Sequence, residues 1–163
     1  MFVFQNAPML QKKPEEAQQE QTYQQQAQTA INMLVEGTKL LQAAKTPEQF
    51  REANAKLTVS LQSLEKLNNP GVPGDFKAKY IVPNMSAAAQ NLYSLGVGCY
   101  NAAVEAINYM EQNGASMEKR QERSSYASIA YDVFSTLNGT YYSGLETMVS
   151  DTQSWMKAPI SQK

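Results

Sequence analysis

Nine tyrosines, one tryptophan, one cysteine and no histidine bound the chemistry open to this 163-residue chain. Without imidazole, Ser–His–Asp and Cys–His catalysis are closed, and so are nearly all zinc and haem sites. A ferritin-type di-iron bundle needs Glu-x-x-His on two of its helices, which this sequence cannot supply. Cys99 falls on an apolar seam with no basic partner evident to lower its pKa, so it reads as a small buried residue rather than a nucleophile. The glycines at 71 and 74 are not a phosphate loop, because no Gly-Lys-Ser or Gly-Lys-Thr follows. The expectation is no catalytic residue, no metal site and no cofactor.

What remains is contact chemistry. Tyr93, Tyr100, Tyr109, Tyr126, Tyr131, Tyr141 and Tyr142 all fall in the second half of the chain. Tyrosine at a core edge packs its ring and keeps its hydroxyl wet, and it is also enriched where proteins meet. Met148, Trp155 and Met156 offer an adaptable apolar patch. At the other end, Phe2, Val3 and Phe4 precede Pro8 and Pro14, which discourage helix. The interaction candidates are therefore Phe2, Val3, Phe4, Tyr141, Tyr142, Trp155 and Met156.

The elements that must carry these residues are helical. Tyr23, Ala27, Ala30, Leu34, Gly37, Leu41 and Ala44 alternate spacings of four and three, a heptad seam. Met85, Ala88, Leu92, Leu95, Cys99, Ala102, Ala106 and Tyr109 form a second seam. Between them, Thr46-Pro47-Glu48-Gln49 reads as a capping box with proline in the first turn. Phe50, Ala53, Leu57, Leu61, Leu64 and Leu67 make the stripe of the helix that follows. So short a connection makes its two helices antiparallel neighbours. Two prolines and two glycines at 70–74 break the pattern, and Asp75 is expected to cap a short turn through Phe76, Tyr80 and Ile81. Asn113-Gly114 stops the third helix, and Ser116 caps the fourth. The charged turn at 118–123 is expected to be a solvated face.

The fold expected is all-α: a four-helix bundle of long, antiparallel, heptad-seamed helices with an apolar N-terminal arm. The helices span about 14–45, 47–67, 84–112 and 116–157, inside a bundle domain at 14–158. The arm is 1–13 and the C-terminal tail 159–163. An unbroken last helix would run roughly 60 Å at 1.5 Å per residue. Asn138-Gly139 in its middle marks a place for a bend or break.

Ala43-Ala44-Lys45-Thr46-Pro47-Glu48-Gln49-Phe50, followed by Leu57, Leu61 and Leu64, resembles the helix–cap–helix stretch of phasins, the proteins that coat polyhydroxyalkanoate granules. The resemblance covers about residues 27–67. The loop at 68–75 interrupts what is usually continuous helix in that family, and the second half carries no such likeness. The resemblance implies a cytoplasmic coat protein that self-associates and lays apolar helix faces on a granule.

Charge and hydropathy narrow the partners. A formal net charge of −1 gives no electrostatic reason to bind nucleic acid or an anionic membrane. No apolar run is long enough to span a bilayer, and the first residues make a poor secretory signal. A single cysteine forms no internal disulfide and fits a reducing interior, so the location expected is cytoplasmic or within an intracellularly assembled particle. The glutamines at 18–28 suit a polar helix face or an assembly surface. The function expected is a non-enzymatic structural or assembly subunit, a homo-oligomer working by helix-mediated self-association and protein–protein contacts. The alternative is a phasin-like coat on a hydrophobic surface. An enzyme or small-molecule binder would need a cavity that alanine-rich seams disfavour.

Overall fold

Proline at 14, acidic residues behind it and a run of strong helix formers begin the first element where the sequence places it. The computed structural model describes the backbone of residues 14–158 and the side chains of 22–158. Its elements are α1 (Pro14–Ala43), α2 (Pro47–Leu67), a single turn α3 (Gly74–Phe76) leading into a π-helical segment (Lys77–Ile81), α4 (Val82–Asn113), α5 (Met117–Leu137) and α6 (Glu146–Lys157). Among the described residues there is no strand, only one isolated bridge between Asn138 and Tyr142. The all-α class holds. The count of four does not, because five helices of twelve residues or more are present among the described residues.

α1 and α2 form the first antiparallel hairpin. Ala27, Ala30, Leu34 and Gly37 of the expected seam are buried, and Ala53, Leu57, Leu61, Leu64 and Leu67 face them. Ser60, missed by a reading of apolar positions, is also fully buried and donates its hydroxyl to the Ala30 carbonyl at 2.7 Å. Gly37 lets the helices close up: a Cβ there would lie 2.8 Å from Leu57 Cγ and 3.2 Å from the Leu57 backbone nitrogen.

The hairpin turns on the expected box. The Gln49 N–H donates to Thr46 Oγ1 at 3.3 Å, and Gln49 Oε1 accepts from the Thr46 and Lys45 N–H groups at 3.2 and 2.7 Å. α1 ends at Ala43 rather than Lys45, since those two N–H groups turn to Gln49 instead of continuing the helix. Thr46→Ala is expected to cost about 1 kcal/mol, as cap removal does. Urea melts check it, and an unchanged midpoint would contradict the role of the cap.

The 68–82 connection is more helical than expected. Asp75 does not cap it: the turn opens at Pro73 with no side-chain cap, and Asp75 sits inside the first turn. Helix continues to Val82, whose N–H bonds back five residues to the Lys77 carbonyl. Pro83 explains the wide turn, for it has no N–H to continue the ladder and its ring crowds the carbonyl four residues back. Asn84 Nδ2 donates to the Tyr80 carbonyl at 2.6 Å. Ile81 and Val72 are buried here with Ala27, Ala30, Ile31, Leu64 and Leu67, forming a satellite core over which Phe76 meets Tyr23 edge-on at 4.9 Å.

α4 is the central helix and packs on α2, α5 and, less, α1. Its seam follows expectation from Ala88 through Cys99 and again at Ala106, but Ala103 is buried where Ala102 was expected, Ala102 and Met85 are half-buried and Tyr109 is 47% exposed. A straight helix of 3.6 residues per turn walks off a strict 3.5-residue repeat in just this way. Ser116 caps α5, its Oγ accepting from the Lys119 N–H at 3.2 Å.

The expected helix at 116–157 is corrected to two. α5 ends at Leu137, whose carbonyl accepts N–H bonds from Thr140, Tyr141 and Tyr142 at 3.0–3.1 Å. Gly139 and Gly144 take φ of +82° and +80°, a conformation that costs any other L-residue strain. Asn138 ties the two ends together, accepting from the Leu145 N–H and donating to Glu146 Oε2, both at 3.2 Å. α6 therefore runs back along α5. That return also corrects the charged turn: Arg120 is buried, and Arg123 Nη2 and Ser124 Oγ donate to the Ala158 and Met156 carbonyls at 3.5 and 3.3 Å.

Candidate functional site

Four of the seven interaction candidates lie on the turn and on α6, and all four are half-buried against the main core. Phe2, Val3 and Phe4 lie outside the described residues. α4 presents Tyr93 and Tyr100 two turns apart on one face, and α5 places Phe134 between them. The result is one continuous aromatic layer. Tyr142 stacks on Tyr93 with centroids 4.7 Å apart, Phe134 lies 6.1 Å from Tyr93 and 6.3 Å from Tyr100, and Trp155 lies 5.0 Å from Tyr100.

Two phenols, one in this layer and one beside it, are tied to carboxylates within the chain. The Tyr100 hydroxyl donates to Asp151 Oδ2 at 2.9 Å, which pins α6 to α4. The Tyr141 hydroxyl donates to Glu65 Oε2 at 2.6 Å, which pins the turn to α2. Asp151 and Glu65 were missed in the sequence. Their signal was weak, since a carboxylate on a helix surface announces itself only once a phenol is seen to need an acceptor. The aromatic candidates at 141, 142 and 155 thus hold the turn and α6 in place, with their remaining edges at the surface.

Burial, and then the neighbouring carboxylate, push the Tyr100 and Tyr141 hydroxyls above the usual phenol range. A pKa raised by folding stabilises the fold below the unfolded value, and the benefit is lost as pH rises through the folded value. Stability is therefore expected to fall above pH ~10, and Tyr100→Phe/Tyr141→Phe should flatten the decline. Denaturation midpoints across that range check it; equal slopes in the two proteins would contradict it.

The chemistry elsewhere is unreactive or open to solvent. Cys99 is fully buried and its thiol is pushed up to about 12 by burial, with Arg51 opposing. It stays protonated near neutral pH and is a poor nucleophile. Arg51 is a basic neighbour that the sequence did not reveal. Among the described residues no three His, Cys, Asp or Glu side chains gather as metal ligands. Between α1 and α2 an open groove of about 450 Å³ is lined by Thr22, Gln25, Gln26, Thr29, Ser63 and Lys66, so the glutamine run does border a polar surface. In a smaller groove of about 290 Å³ between α4 and α5, the Lys119 ammonium lies 4.6 Å from the Tyr109 ring centre and 2.9 Å from Glu122 Oε1. Compared with known protein families, with curated proteins and with solved structures, the chain matches none.

Proposed function

We propose that this chain is a non-enzymatic structural subunit that works by helix-mediated self-association. The observation that carries the reading is the reach of α1. The contacts Ala30–Ser60 and Gly37–Leu57 fix an antiparallel register that sets the end of α2, Leu67, opposite Tyr23. α1 begins at Pro14, nine residues further on, roughly 13 Å of helix past its partner. That overhang carries Gln18, Gln19 and Gln21 and continues into the exposed Gln25 and Gln26 of the polar groove. A long helix with a glutamine-rich end suits packing against a second copy.

The arm at 1–13 joins this surface in sequence. Three apolar side chains left in water forgo roughly 1.5–3 kcal/mol apiece, and a second copy is the surface this reading assigns to Phe2, Val3 and Phe4. Deleting residues 2–10 is expected to lower the molar mass in solution while leaving helical circular dichroism nearly unchanged. An unchanged molar mass would remove the arm from the account.

The phasin-like coat is the second reading, favoured by the helix–cap–helix geometry at Thr46–Gln49. Among the described residues no helix is long and apolar enough to cross a membrane. A coat would instead lay helices along a hydrophobic surface. Binding to polymer particles by a chain that stays monomeric in solution would select that reading over assembly.

A further inference from the structure

We propose that two copies of this chain exchange α6: the turn at 138–145 straightens, α5 and α6 join into one helix, and each α6 seats on the α5 of the other copy. This rests on the self-association reading and specifies one route for it.

The first observation is register. At 100° per residue, Phe134, Leu137, Tyr141, Leu145, Met148, Thr152 and Trp155 share one arc about 80° wide. All seven are buried or half-buried. Two helices joined by a reversing turn have no need to keep helical phase across it. Here even Tyr141 and Leu145, inside the turn, keep it.

The second is what makes the turn. Gly139 and Gly144 hold positive φ, yet a Cβ at either would meet nothing within 4 Å. Neither glycine is there for lack of space, so the reversal depends on a backbone conformation that a side chain would disfavour. α6 itself has Leu145 at its N-cap position and no side-chain cap.

The third is how α6 is held. It packs chiefly on α5 and a little on α4. Its one fully buried polar side chain, Thr152, bonds back to its own helix at the Met148 and Val149 carbonyls. The contacts of Trp155 and Asp151 with Tyr100, and of the last carbonyls with Arg123 and Ser124, can all be remade by the α6 of a second copy. The closed form keeps the Tyr93–Tyr142 stack and the Tyr141–Glu65 bond. The open form gains continuous helix through 138–145. Exchange of an identical element is a low-cost route to a dimer.

The test compares three full-length proteins by size-exclusion light scattering over a concentration series: the natural chain, Gly139→Ala/Gly144→Ala, and a chain with four Gly/Ser residues inserted after Gly139. Alanine is strained in the turn and favoured in a helix, and two positions in each of two chains add up, so the double variant should dimerise at a concentration lower by roughly 1,000-fold or more. The insertion relaxes the turn and should raise that concentration. Equal dimerisation in all three would overturn the exchange while leaving self-association through another surface. Monomers in all three at every concentration would overturn both. An alanine variant that loses its helical signal would also count against exchange, because the swapped form restores the contacts of α6 with α5 and α4.

Discussion

Phe134→Ala is expected to lower the free energy of unfolding by about 3–5 kcal/mol, at the top of the range for core truncations. Phe134 is fully buried on α5 and joins the halves of the aromatic layer. The cost of such a truncation depends on how far the surroundings collapse into the hole. Here they cannot move far. A Cβ on Gly96 would already lie 2.8 Å from Phe134 Cε1 and 3.0 Å from Val133 Cγ1, so α4 and α5 are already close at this level. Tyr93 and Tyr100 are held in turn by Tyr142 and by Asp151 and Trp155. Urea titration followed by circular dichroism measures the change. A loss below about 1 kcal/mol would mean that the layer repacks freely.

The second large effect is at Leu57, which is fully buried under Gly37. Leu57→Ala should cost about 2–5 kcal/mol from lost transfer energy and the cavity left behind. Gly37→Ala alone should cost about 1–3 kcal/mol by overpacking, reduced by roughly 1 kcal/mol of helix propensity. Combined, the two should cost less than their sum by about 1 kcal/mol or more, because contacting sites couple. The new Cβ takes part of the space Leu57 vacates. A double variant as unstable as the sum would show that the α1–α2 approach is not set by this pair.

The helices, the Thr46 cap, the Asn113-Gly114 stop and most of the seams were legible because each rests on local chemistry that short segments carry alone. Seven or eight residues suffice to show a heptad step or a capping box. The break after Leu137 was legible only as one of two outcomes at Asn138-Gly139, and the reason is physical. Phe134 to Trp155 keep helical phase throughout, so periodicity argues for one helix while Asn138-Gly139 and Ser143-Gly144 argue for a turn. Local bonds to the Leu137 carbonyl and the return of α6 onto α5 decide it. The aromatic candidates were found by type, but their partners were not. Asp151, Glu65 and Phe134 approach them across helices, 51, 76 and 41 residues away from Tyr100, Tyr141 and Tyr93 in sequence. Ser60 and Arg120 escaped for a related cause. Polar residues enter a core only when a specific acceptor or a covering segment awaits them, and neither is written locally.

Self-association is the central claim, and the molar mass of the intact chain tests it most directly. Size-exclusion light scattering at rising protein concentration is expected to give a mass that climbs to at least twice that of one chain. A mass equal to one chain at every concentration would contradict the account.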